Sequence, residues 1–310
     1  MKEKKKDSIP SSAQSEAYRT SDKISEQEVK QALLRSGYLL EHRVEALLRH
    51  DDWYVEANSA YHDSDTGKSR ELDIFALKLV SFSGGTGDTV FCSLLAECVN
   101  NPQPLALITK SENYASQFGS DIKFMLDPRE IVVPDKDPIL VPEFLGLNKF
   151  HHYCDGKIAT QFCSFARKDK GKTNSEWMAL HEGSQFESFL TLIKALEHKL
   201  TTFTWHEGKH LRAEFMYMLL ILQGELLDVR LSDSDLIIVP ASHEKYRRSI
   251  IWNGAEENYI IDVVTEAALP KLLKQIYEEA ILIGRAIASN AERLRENIGL
   301  GVSAPSSKAE

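Results

Sequence analysis

Hydrophobic spacing changes period several times along the chain, and each change predicts an element. From Ser25 the period is helical, and Ser25 followed by Glu28 has the spacing of a capping box. A second helix follows Gly37, with Leu40, Val44, Leu47 and Leu48 on one face and Glu41 and Glu45 on another. The period then drops to two. Trp53 to Ala57 reads as a strand, His62 to Ser69 as a polar loop and Arg70 to Leu77 as a second strand. Ser81 to Asp88, with three glycines, reads as a turn. Val90 to Val99 is a third strand, nearly all apolar and therefore central. Asn100 to Pro104 breaks it, and Leu105 to Thr109 is a fourth. Three of these strands can form a meander with a helix packed on one face.

Beyond Lys110 the pattern is harder to read. Prolines stand at 128, 134, 138 and 142, and Arg167 to Lys172 is a charged loop. Phe186 to Leu200 is helical, with Phe189, Leu192, Ile193 and Leu196 inward. Phe215 to Leu222 is a strand, Gly224-Glu225 reads as a hairpin turn, and Leu236 to Pro240 and Tyr259 to Val264 are further strands. From about Thr265 to Ile298 a long helix carries apolar residues at alternating steps of three and four. That heptad-like spacing fits a core helix lying across the sheet, or a homo-oligomer contact. The second half reads as an echo of the first only weakly. These elements predict an α/β protein whose mixed sheet is flanked by helices, with a core over residues 23–112. An additional α/β C-terminal half spans 113–298 and ends in the long helix. Residues 1–22 and 299–310 have the composition of disordered tails.

Composition narrows the classes. In 310 residues the net charge is −9, so nucleic-acid binding would depend on local basic patches rather than overall charge. The four cysteines form no CxxC pair and no zinc spacing, which predicts reduced thiols in a cytoplasmic protein. The N-terminal Lys run lacks an apolar segment after it, and no apolar run is long enough to span a bilayer, so no membrane role is expected.

The chemically informative residues are Glu41, Asp73 and Glu97. A carboxylate inside an apolar strand is costly unless paired, hydrogen-bonded or metal-bound. Two on adjacent strands can share a divalent cation such as Mg²⁺. The plain alternative is that they pair with arginines such as Arg43 or Arg70. Glu97 and Val99, two apart, share a face, whereas Lys78 is at odd parity to Asp73 and points away. Three weaker features have bland readings. His151-His152 reads as loop or edge histidines, His243 to Arg248 as a solvated basic hairpin able to touch phosphate, and Asp262 as a strand-end or capping residue.

The segment from Gly37 to Thr109, with Glu41 on a helix, "RELDIFAL" and then "LLAECVNN", resembles the PD-(D/E)XK restriction-endonuclease-like superfamily of bacterial nucleases. In that family a helical glutamate precedes a "REIDI" strand and an "ECK" strand. The resemblance implies a restriction-endonuclease-like fold and a Mg²⁺- or Mn²⁺-dependent nuclease (a phosphodiesterase, hydrolase class) acting on DNA. Asp73 and Glu97 would be the metal ligands, and Glu41 would hold a second ion or a water. Val99 stands where the family has its lysine, and valine neither donates a hydrogen bond nor stabilises negative charge. Lys110 is the candidate replacement, ahead of Lys68 and Lys78. The alternative is a catalytically inactive pseudonuclease kept as a nucleic-acid-binding or protein-interaction module.

Overall fold

In a computed structural model of the chain, the residues described are 23–81, 88–111, 121–135, 137–154, 156–169, 175–181, 184–202, 210–232, 235–252 and 254–298. Both tails, most of the Ser81–Asp88 turn and the Lys170–Lys172 part of the charged loop lie outside them.

The chain opens with α1 (Glu26–Arg35) and α2 (Tyr38–His50). The capping box forms: Ser25 Oγ accepts from the Glu28 N–H, and the Glu28 carboxylate accepts from the Ser25 N–H at 2.8 Å. Leu40, Val44 and Leu48 bury one face of α2 against an antiparallel meander of β1 (Tyr54–Asp63), β2 (Lys68–Ser81) and β3 (Thr89–Asn100). β1 and β2 run further than their apolar cores suggested, so the expected loop from His62 shrinks to a tight turn. There Gly67 adopts positive φ.

β4 (Leu105–Ser111) leaves the meander after the proline break. The short β5 (Phe124–Met125), β6 (Glu130–Ile131) and β7 (Ile139–Leu140) follow, and then the single turn α3 (Val141–Phe144). A 3-10 turn, His152–Cys154, leads into β8 (Lys157–Asp169) and β9 (Ser175–Leu180). Next come α4 (Ser184–Thr202), β10 (Arg212–Gln223), β11 (Leu226–Ser232) and β12 (Asp235–Ala241). The chain ends with β13 (His243–Trp252), β14 (Ala255–Thr265), α5 (Leu269–Ser289) and α6 (Ala291–Glu296).

One mixed sheet joins the two halves, in the order β1-β2-β3-β10-β14-β13-β8-β4-β11-β12, with β5 against β10 and β9 against β8. β3 is indeed interior, between β2 and β10, and it pairs β10 in parallel from Thr89–Arg212 to Asn100–Gln223. β14 lies parallel on β10's other side. The residues on one face pack with α2 and α5; those on the other pack with α4 through Phe189, Leu192, Ile193 and Leu196. β3, β10 and β14 end together, and a crevice outside the carboxyl ends of parallel strands is a common place for ligands.

Two expectations change. Gly224-Glu225 is not a hairpin turn, because β10 and β11 do not pair. Instead β11 continues beside β4, in parallel, as β10 lies beside β3. Glycine is required at this joint because a Cβ at Gly224 would sit 2.5 Å from the Asn101 carbonyl oxygen. The long C-terminal helix is two helices interrupted at Asn290. Its apolar stripe (Leu269, Leu273, Ile276, Ala280, Ile283, Ile287 and, on α6, Leu294) is buried within the chain's own core. The core-helix reading of the heptad pattern is therefore the one found.

Candidate functional site: three carboxylates at the strand ends

β2 and β3 pair as far as Ile74 opposite Ala96. Continued by one residue, that register sets Asp73 opposite Glu97 on the face toward α4, but here the ladder opens and side chains take over. The Cys98 N–H donates to Asp73 Oδ2 at 2.7 Å, and the Asp73 N–H points to Glu97 Oε1 at 3.5 Å. Ser188 of α4 hydrogen-bonds Glu97. Glu41 completes the group from α2, whose first turn passes the strand end so closely that a Cβ on Gly37 would meet the Cys98 carbonyl at 3.3 Å and Glu41 Oε1 at 3.4 Å. The structure thus brings Glu41, Asp73 and Glu97 together, all half-buried.

Their electrostatics agree with that placement. Burial pushes the Glu97 carboxyl up to about 8, helped by the charges of Asp73 and Glu41. Burial also raises Asp73, against the Cys98 hydrogen bond, and raises Glu41, with the Asp73 charge adding to it. Among the described residues, no Lys, Arg or His forms an ion pair with any of the three. The two arginines that could have neutralised them are engaged elsewhere. Arg43 holds Glu266 at 2.6 Å and Gln223 at 3.2 Å, and Arg70 holds the buried Asp63 at 2.6 Å.

Val99 is 9% exposed and sits in the apolar cluster with Leu95, Leu105 and Phe189. Lys78 points away as its parity required, bonding Asp51 and lying over Trp53 and Tyr277. Lys110 is exposed near the end of β4, a strand that pairs β8 and β11 rather than β2 or β3. Lys68 is exposed at the start of β2, beyond the stretch that pairs β3.

A second polar cluster lies across the sheet: His151-His152 stand in a loop and 3-10 turn as expected, but they are buried, and His152, His243 and Asp262 share a hydrogen-bonded network. Asp262 is fully buried (0% exposed) on β14, facing α5. It accepts from His152 Nε2 at 3.2 Å, His243 Nε2 at 2.7 Å and the Tyr153 hydroxyl at 3.1 Å. His152 also donates from Nδ1 to Glu279 of α5 at 2.7 Å. Burial would raise Asp262, but the two histidines hold it well below the usual carboxylate range. Burial would likewise lower His152, yet Asp262 and Glu279 hold it up to about 9. His151, His152 and Glu279 place metal-ligand atoms within 4.8 Å of one another. That grouping could hold a metal ion, and His152 also joins Glu279 to Asp262 in a hydrogen-bonded network. The partners of His151-His152 lie 110 and 127 residues away, which is why local spacing could not reveal them. The basic run after His243 is also largely used internally: Lys245 donates to the His152 carbonyl at 2.7 Å and Arg247 pairs Asp121 at 3.0 Å.

The cysteines are free thiols, and burial pushes Cys92 up to about 12 and Cys154 up to about 11. No described helix is long and apolar enough to cross a membrane. No family model, curated protein or solved structure matches the chain.

Proposed function

We propose that the chain is a Mg²⁺- or Mn²⁺-dependent nuclease-like protein acting on DNA, with Asp73 and Glu97 as metal ligands and Glu41 beside them. One observation carries this: three half-buried carboxylates converge where β2 and β3 part, all with raised pKa and none ion-paired among the described residues. Such a group is stable only if protonated or given a cation. Hard oxygen donors fit Mg²⁺ or Mn²⁺, so the residues present suit the group. A bound divalent ion would polarise a phosphodiester and lower the pKa of a water. The chain's own part is to hold Asp73 through the Cys98 N–H and to anchor Glu97 through Ser188. The motif order of the PD-(D/E)XK resemblance supports the reading: a helix-borne glutamate, then acids on two adjacent strands.

Val99 favours a second reading, a catalytically inactive descendant that binds metal and nucleic acid, because its apolar surroundings supply no donor for developing charge. Titration calorimetry with Mn²⁺ tests the shared premise. The native chain is expected to bind and Asp73→Ala to lose binding; no binding by the native chain would end the metal assignment. Cleavage of DNA then separates the two readings. Native activity is expected to be weak, and Val99→Lys is expected to raise it by about 10²–10³. Absence of cleavage in both chains would leave the inactive form.

A further inference from the structure

His151, His152 and Glu279 are each at most 6% exposed, and each offers a ligand atom within 4.8 Å of the others. His152 Nδ1 lies 2.7 Å from Glu279 Oε2, and His151 Nδ1 lies 4.0 Å from the same oxygen. Tetrahedral zinc, with bonds of about 2.0–2.1 Å, sets its ligand atoms roughly 3.3 Å apart. The two distances bracket that value. His151 is the member that hydrogen bonding leaves unexplained. Its Nδ1 accepts the Tyr153 N–H at 3.2 Å, so the ring is neutral with its hydrogen on Nε2. That Nε2 is buried with no hydrogen-bond partner among the described residues. The His151 lone pair and the Glu279 oxygen are thus two neighbouring acceptors, and a cation between them would satisfy both.

We propose that His151, His152 and Glu279 form a zinc site, with its fourth position toward the cavity beside His243. Two imidazole nitrogens and one carboxylate are a donor set for zinc, whereas Mg²⁺ takes oxygen. The contacts around the cluster are those of a metal-binding histidine. His152 gives its other ring hydrogen, on Nε2, to the buried Asp262. His243 and the Tyr153 hydroxyl hold that carboxylate in place. Glu279 Oε1 takes the His152 N–H at 3.0 Å and the Gln275 amide at 3.3 Å, which leaves Oε2 for the ion. His152 lines a cavity of about 250 Å³ with Lys157, His243, Lys245 and Gln275, giving the ion a way in and a water the fourth place. On binding, zinc replaces the hydrogen between His152 Nδ1 and Glu279 Oε2, and that proton leaves to solvent.

The full chain, stripped with chelator and returned to buffer with Mg²⁺ in large excess, is dialysed against Zn²⁺ and its metal content measured. The Mg²⁺ competes for the oxygen-only group of Asp73 and Glu97, so the zinc and magnesium assignments can fail separately. About one zinc ion per chain is expected. Co²⁺ in place of zinc is expected to give the intense visible bands of a tetrahedral ion, without the near-ultraviolet band of a thiolate ligand. His151→Gln and Glu279→Gln, each checked for folding by circular dichroism, are expected to lower zinc affinity at least about tenfold. The cobalt spectrum of the native chain needs no variant, so it decides the matter if both variants fail to fold. No zinc uptake, a weak octahedral cobalt spectrum, a thiolate band that moves the ion to a cysteine such as Cys154, or unchanged affinity in a folded His151→Gln overturns the proposal.

Discussion

Glu97 and Asp262 occupy nearly equivalent places on opposite faces of the sheet, and their environments drive them in opposite directions. Glu97 lies opposite Leu220 of β10, and Asp262 opposite the neighbouring Leu219. Two strand spacings, about 10 Å, separate their backbones. Both carboxylates leave water. Asp262 meets two imidazoles and a phenol and stays ionised; Glu97 meets two more acids and is pushed to about 8. Burial is common to both, so the partners decide the sign. The chain supplies the counter-charges at one cluster and omits them at the other. The first is closed as a charge network, and the second has no ion-pair partner among the described residues.

The largest expected effect breaks the closed cluster. Asp262→Ala leaves the buried His152 with Glu279 alone and takes the acceptor from Tyr153 and His243, and removing one partner of a buried ion pair typically costs about 3–5 kcal/mol. Urea unfolding at pH 7 is expected to show a loss of that size, whereas Glu97→Gln should cost little or stabilise. Equal losses from the two substitutions would erase the contrast.

The next effect is in pH dependence. Because the folded state raises Glu97 from its ordinary carboxylate value to about 8, it binds more protons than the unfolded chain between those limits. Stability from this group should therefore fall as pH rises from about 4.5 to 8. His152, also raised, contributes stability that is lost between about 6.5 and 9. Asp262, lowered, contributes stability that is lost only as pH falls below the usual carboxylate range. Thermal melts in chelator should show the alkaline decline, and Glu97→Gln should remove the Glu97 share of it. Mn²⁺ should stabilise the native chain most at pH 8. An unchanged slope in Glu97→Gln would mean that the three acids do not repel one another as their placement requires.

The open cluster was far more legible in the sequence than the closed one, for a physical reason. Asp73 and Glu97 lie in consecutive strands, so period-two alternation and a short hairpin connection bring them opposite one another. Glu41 stands one helix before them. Asp262, His152 and Glu279 come from a strand, a 3-10 turn and a helix widely separated in sequence. His152 meets partners 110 and 127 residues away, a separation that no local pattern encodes. The same reasoning accounts for the fold. The meander and α2 followed from local periodicity, while the continuation of one sheet through both halves did not. The Gly224 joint was misread because a turn-type residue marked a close backbone approach rather than a hairpin.

The smallest expected effect sharpens the comparison from the open side. Arg43 reaches from α2 to Glu266 and Gln223, tying the helix that carries Glu41 to the ends of β10 and β14. The pair is well exposed, so it contributes under about 1 kcal/mol to stability. Its position gives it a second consequence. Without Arg43, the first turns of α2 keep only their apolar anchors, Leu40 and Val44, and Glu41 is less firmly held toward Asp73. Arg43→Ala should therefore barely move the urea midpoint yet weaken Mn²⁺ binding a few-fold. The Asp262 cluster, on the other face and with its own partners, should show no change in the His152 and His243 ring signals by nitrogen NMR. A substitution that weakened metal binding and altered His243 together would mean that the two clusters are coupled through β10. Their opposite pKa shifts would then be one adjustment of the sheet rather than two local ones.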